Sequence, residues 1–172
     1  MDKLYLANFS FDLEQCVNNA SFDYVGAEII FQRRNQYDVS FDRLFEEYET
    51  GFGDFCGTGD LWLGLKKLHE LTKEGKWHLR LSMRTVSNYL LLWCEYAGFK
   101  IHQDPLYTLK FGTMVAKSDN LKNTTGTSIG LDQHNGLAFS APDRDEDLWD
   151  QNCAAEKQAG WYMVDIMRRY LN

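Results

Sequence analysis

The chain has 172 residues, with 18 Lys and Arg against 25 Asp and Glu and a formal net charge of −7. That length supports one domain, or at most two unequal lobes. An acidic total without a Lys/Arg block excludes a sequence-independent binder of phosphate backbones, which needs clustered positive charge to displace counterions, so no nucleic acid is expected as a partner.

Hydrophobic residues make up 44% of the sequence and aromatic residues 15%, enough for a packed core and too much for a disordered segment. No apolar run reaches the roughly 18 residues that span a bilayer, so no membrane span is expected. The opening MDKLYLANFSFDLEQC has no continuous apolar stretch and no small-residue cleavage site. Read alone, the protein is either cytosolic or lacks its true amino terminus. Cys16, Cys56, Cys94 and Cys153 are spread without the close pairs that zinc sites show, and free thiols and disulfides both remain open.

In sequence order, AEIIFQR at 27–33 reads as a buried strand. Ser40 is an N-cap candidate for a short helix that presents Phe41, Leu44, Phe45 and Tyr48 on one face and stops at Gly51. After the turn-rich GFGDFCGTGD, Asp60 is a cap candidate for a second helix carrying Leu61, Leu65 and Leu68, ending before Gly75. WHLRLSM at 77–83 alternates Trp77, Leu79, Leu81 and Met83 with polar residues, the period of a half-buried strand. Residues 89–96 and 106–111 read as further strands. From Val115 to Asp150 the texture of Asn, Asp, Thr, Ser and Gly predicts loops held by something other than a hydrophobic face, a bound cation being one candidate. GWYMVDIMRRYLN turns apolar again and stops, which reads as a shortened carboxyl end.

DRDED at 143–147 places Asp143, Asp145 and Asp147 at alternate positions. Carboxylates at that density repel unless a hard cation neutralises them, and oxygen-only ligands suit calcium better than zinc. An EF-hand is excluded, because its glycine and glutamate positions hold Leu148 and Ala154. A solvated acidic loop is the other reading. His69, His78, His102 and His134 are scattered and read as structural or surface residues, and Glu46, Glu47 and Glu49 as a solvated helix face. Neither a nucleophile elbow nor a phosphate-binding glycine loop occurs, and without a nucleophile–base pair or an open metal position no catalysis is expected. Asn8, Asn19 and Asn123 open N-x-S/T sequons, candidates for glycosylation if the protein is secreted.

The order of motifs resembles the fibrinogen-related (fibrinogen C-terminal-like) domain. The likeness runs through IIFQRR at 29–34, SFDRLFEEYETGFGDF at 40–55, DLWLGLKKLHELT at 60–72, LRL at 79–81, EYAGFKI at 95–101, HNGLAFSAPDRDED at 134–147, NCA at 152–154 and GWYM at 160–163. It implies an α+β fold with a central twisted antiparallel sheet, short helices and a loop-rich calcium lobe. The boundaries it implies are a divergent amino-terminal lobe over 1–34, a central sheet lobe over 35–111 and a truncated calcium and ligand lobe over 112–172.

Carried over by residue, the resemblance implies calcium held by the carboxylates of Asp145 and Asp147 and the carbonyls of Trp149 and Gln151, with Asp143 behind them. The family's ligand pocket falls on Lys157, Trp161, Tyr162, Ile166 and Met167. Ile166 and Met167 stand where the family has a disulfide partner for Cys153 and a histidine, so the pocket's polar edge is missing, mostly free thiols are expected, and Trp161, Tyr162 and Met163 are expected to be partly exposed. The implied function is a non-catalytic, secreted recognition module of innate-recognition or adhesion type, binding a glycan or protein ligand and possible as a homo-oligomer. The alternative is a shortened relative with a structural or assembly role.

Overall fold

The computed structural model describes residues 2–6, 28–34, 37–55, 59–84, 91–103, 106–119 and 131–163. Among these residues eight strands form the frame: β1 (Asp2–Leu6), β2 (Glu28–Arg33), β3 (Phe52–Gly53), β4 (Leu61–Trp62), β5 (Trp77–Arg84), β6 (Leu91–His102), β7 (Thr108–Lys110) and β8 (Met114–Lys117). Their order is β3-β4-β2-β1-β5-β6-β7, with β8 also paired to β6. Short helices accompany them: α1 (Phe45–Thr50), α2 (Leu65–Thr72) and α3 (Cys153–Lys157).

The expected antiparallel sheet is present with one exception. β1 runs parallel to both of its neighbours, β2 and β5, while every other pairing among the described strands is antiparallel. Parallel neighbours need a crossover of a dozen or more residues, and residues 7–27, outside the described part, supply that length. β6 is longer than the 89–96 reading because it serves two partners in succession, β5 and then β7. Val115–Lys117, read as loop, belong to β8, which pairs with Cys94–Tyr96 instead. Tertiary pairing overrides a weak local pattern there.

Both helices start later than their capping signals suggested. Ser40 accepts the Asp42 N–H, a local turn, and α1 begins at Phe45, whose N–H is taken at 2.7 Å by the Asp143 carboxylate from 98 residues away. Leu44, expected on the apolar face, is 55% exposed. Asp60 does not cap α2, whose N-cap is Gly64, and is fully buried against Arg34 Nη1 at 2.9 Å. Leu61 accordingly belongs to β4, and α2 begins four residues on with Leu65, Leu68 and Thr72 inward. Thr72 Oγ1 accepts the Ile101 N–H and His69 Nδ1 pairs with the Ile101 carbonyl, fastening α2 to β6. Met83, expected inward, is 40% exposed at the outer end of β5.

The core is an aromatic-rich cluster from Ile29 to Tyr162. At its centre Tyr48, Trp62 and Phe139 lie 5.0–5.6 Å apart by ring centroid, in the tilted and edge-on arrangements that aromatic quadrupoles favour. The Tyr48 hydroxyl donates to the Phe41 carbonyl at 2.5 Å and accepts the Gly160 N–H at 2.9 Å, and the Tyr48 carbonyl accepts Trp62 Nε1–H at 2.8 Å. Gly160 is required by close approach: a Cβ there would stand 2.7 Å from Tyr48 Cε2 and 2.9 Å from Phe139 Cε1. Cys94 and Cys153 are free thiols, as expected, while Cys16 and Cys56 lie outside the described residues. No helix among the described residues is long and apolar enough to cross a membrane.

Gly160→Ala is expected to lower unfolding free energy by about 3 kcal/mol, the cost of overpacking a rigid contact, and Tyr48→Phe by about 2 kcal/mol for two lost hydrogen bonds, both read from urea denaturation. Burial lifts Tyr48 and Tyr107 from 10.0 to about 12, so the folded protein keeps protons that the unfolded one loses. Their contribution is complete below about pH 10 and fades as pH climbs toward 12, which denaturation series across that window will show as a falling midpoint.

Candidate functional site

Two surfaces converge on the strand-like pairing of Ser140 with Trp161, whose backbones exchange two hydrogen bonds of 2.9 Å. One is the acidic loop. Its base is closed by the Ala141–Arg144 bridge and by Asn152, whose Nδ2 reaches the Pro142 carbonyl at 3.1 Å while its Oδ1 caps α3 through Ala155 N–H. The Ser140 hydroxyl accepts Glu146 N–H at 3.0 Å.

Within this frame Asp145 and Asp147 stay together and Asp143 departs. Asp147 accepts Trp149 N–H and Cys153 N–H, one on each carboxylate oxygen, and Asp145 accepts Asp147 N–H. Desolvation, joined by repulsion from Asp147 and Glu146, raises the Asp145 carboxyl above its ordinary value against the opposing Asp147 N–H. Asp143 instead caps α1, and Arg144 lies over the Phe45 ring at 4.3 Å. The expected three-carboxylate convergence is therefore two, because the bare amide of Phe45 claims the third. Among the described residues no three His, Cys, Asp or Glu side chains form a metal cluster. Two adjacent carboxylates whose like charges are uncompensated do fit a hard cation, which would complete its shell from backbone carbonyls and water. Leu148 and Trp149 stand at the loop's exposed surface.

The second surface is an open cleft of about 620 Å³ between Gln32 near the end of β2 with Arg34 just beyond it, the segment 37–42 and the turn 157–161. Lys157 and Trp161 line it. Tyr162 does not: it is 2% exposed, packed on Phe139 and Trp161, with its carbonyl held by His134 Nδ1. Burial of Tyr162 follows from the Phe139 contact, which keeps it out of this cleft and on the wall of a small apolar cavity with Phe31 and Leu79, and the exposed apolar edge is reduced to Trp161 and Met163, both half-buried. Ile166, Met167, Asn8, Asn19 and Asn123 lie outside the described residues.

Gln32, Arg34 and Tyr37 were missed in the sequence. The alternation of β2, carried one residue past its end to Arg34, was the signal available for two of them. Arg34 Nη1 bonds the Val39 carbonyl and Asp60, and its guanidinium lies 4.3 Å from the Phe41 ring centre and 5.0 Å from that of Tyr37. Tyr37 and Gln158 both hold left-handed backbone, at φ 56° and 53°. Such a conformation costs a residue with a bulky side group about 1–3 kcal/mol.

The fold and its two surfaces define the class: an α+β sheet domain with an open cleft beside a carboxylate loop. It belongs to the fibrinogen family, by the match of its residues 21–172 to the model of the C-terminal globular domain of the fibrinogen beta and gamma chains. It is 32% identical to human tenascin-R over 148 residues, 86% of this chain and 10% of that protein, and 32% identical to human ficolin-3 over 148 residues, 86% of this chain and 46% of that protein. Among solved structures, the fibrinogen-like globe domain of human ANGPTL2 superposes with a TM-score of 0.66 at 33% identity, covering 77% of this chain and 56% of that one. Lamprey fibrin D-dimer, solved with the peptide Gly-His-Arg-Pro-amide, gives 0.66 at 27% identity, over 77% of this chain and 44% of that one. The sequence thus spans about half of the length of ficolin-3 and of these structures, and a tenth of tenascin-R. The family is one of non-enzymatic, extracellular recognition and interaction domains.

Asp143→Ala is expected to cost about 1 kcal/mol through the lost cap of α1, measured by chemical denaturation in EDTA. Asp143→Asn, which keeps an acceptor, should recover most of it.

Proposed function

We propose that this domain works as a non-catalytic, secreted recognition module of adhesion or innate-recognition type, taking a glycan or protein ligand and carrying a structural calcium ion. The reading rests on one observation: Lys157 and Trp161 line an open cleft, and Trp161 is paired by its backbone to Ser140, whose hydroxyl holds the carboxylate loop through Glu146 N–H. Asp145 and Asp147 would hold the ion, with the carbonyls of Trp149 and Gln151. Its role is to fold the loop, because a cation that binds only the folded state adds its binding free energy to stability.

The acidic loop explains why an ion is wanted. Asp145 and Asp147 are held adjacent by loop N–H donors, so the fold sets two carboxyl groups side by side. The raised Asp145 carboxyl means that the ion-free fold loses stability as pH rises through the upper carboxylate range. Calcium reverses that sign by favouring the anion.

Titration calorimetry with calcium is expected to give one site. At calcium about 100-fold over the dissociation constant, the melting temperature should rise by about 5–10 °C. Asp145→Asn should abolish the rise and, in EDTA, melt no lower than the parent. A glycan and protein array probed in calcium and in EDTA tests recognition directly. Ligand capture that Trp161→Ala weakens supports the reading, and an array without any calcium-dependent or cleft-dependent capture overturns it.

A further inference from the structure

The cleft has a composition of its own, and it differs from the rest of an acidic surface. Of the residues that line it, Arg34 and Lys157 are cationic and Asp42 is the single carboxylate, in a protein whose net charge is −7. Among the described residues Arg34 engages acceptors through Nη1, the Val39 carbonyl and the buried Asp60 carboxylate, and its side chain is 32% exposed, which leaves Nε and Nη2 for an anion. Lys157 pairs only with Glu156, its sequence neighbour, and both are largely exposed, a pairing worth little.

Gln32 Oε1 is buried without a hydrogen-bond donor. An acceptor in that state costs free energy until a donor reaches it. Two aromatic surfaces border the same space. The ring of Tyr37 is 77% exposed although its backbone is held in the left-handed region, and Trp161 is half-buried. Gln158, on the opposite wall, takes its left-handed conformation as the C-cap of α3. Strain of the kind held at Tyr37 persists where the surrounding structure imposes it, and it concentrates at binding sites.

Cations, a lone acceptor, a carboxylate and flat aromatic faces together describe a ligand that is anionic, rich in hydroxyl donors and faced with C–H surface. We infer that the cleft binds a carboxylate-bearing saccharide, its carboxylate set between Arg34 and Lys157, its hydroxyls donating to Gln32 Oε1 and Asp42, and a sugar face against Tyr37 or Trp161. This rests on the reading of the domain as a recognition module and names its ligand class. A neutral sugar makes no use of the charge of Arg34 and Lys157, which then keep their ion pairs with Asp60 and Glu156, and a simple anion makes no use of Gln32 and the rings.

The test uses the whole 172-residue protein and two probes: a glucuronate-containing oligosaccharide, and the same oligosaccharide with each carboxylate reduced to the alcohol. Calorimetry is expected to show the acidic probe binding about tenfold or more tightly than the reduced one, with affinity falling as salt is raised. Lys157→Gln should remove most of that difference while leaving the reduced probe's affinity unchanged, and Lys157→Arg should restore it. Tyr37→Asn, which tolerates the left-handed backbone, should weaken both probes about tenfold. Thermal melts that match the parent exclude misfolding of these surface variants. Equal binding of the two probes, or acidic binding indifferent to Lys157, overturns the inference. If neither probe binds while the array yields a protein or neutral ligand, the inference falls and the recognition module stands. If nothing binds in either experiment, both fall.

Discussion

The hydroxyl of Tyr48 holds together parts of the sequence that lie far apart. From one helix it reaches the Phe41 carbonyl on one side of the cleft and the Gly160 N–H on the other, and the backbone carbonyl of the same residue receives the indole of Trp62. The phenol is desolvated as a result, visible in a proton held to about pH 12. In exchange three segments, 41–48, 62 and 160, are fixed by one residue that makes its hydrogen bonds in the dry core, where they are electrostatically strongest. The packing around it leaves no room for a Cβ at Gly160. Cleft walls that belong to distant parts of the sequence keep their spacing for this reason.

Charge is handled differently in the two halves of the site. On the cleft side, Arg33 is almost wholly buried and gives its N–H groups to the Gly59 and Asp54 carbonyls, and burial lowers its pKa against the pull of Asp54 and Asp60. Its neighbour Arg34 is only partly used and stays at the surface. On the loop side, Asp143 is consumed as a cap while Asp145 and Asp147 remain side by side. Each run of like charge is thus divided between a residue that organises backbone and residues left to meet something else.

Much of the frame was legible because β2, β5 and α2 carry the periods of their structures, and because the order of motifs from IIFQRR to GWYM runs through nearly all of the core. The errors share a cause. Ser40, Asp60 and Asp143 are short polar residues that suit local capping, and each was read by its nearest neighbours. In the fold, Asp60 is taken by Arg34 and Asp143 by Phe45, partners 26 and 98 residues away. Tyr37 was invisible for a related reason, since neither its exposure nor its left-handed backbone leaves a mark in a one-dimensional pattern. The cleft was half legible: Lys157 and Trp161 came with the motif order, whereas its other wall comes from a strand that reads as plain core.

Ser140 belongs to both surfaces at once, its backbone paired with Trp161 and its hydroxyl occupied by Glu146. Whatever orders the acidic loop is therefore felt by a residue that sets the position of a cleft wall. Thermodynamic linkage makes such an influence mutual: if occupancy of the loop changes affinity in the cleft by some factor, occupancy of the cleft changes affinity in the loop by the same factor. Were both surfaces occupied, one fold stability would report on two solutes, and the concentration of either would set how tightly the other is held.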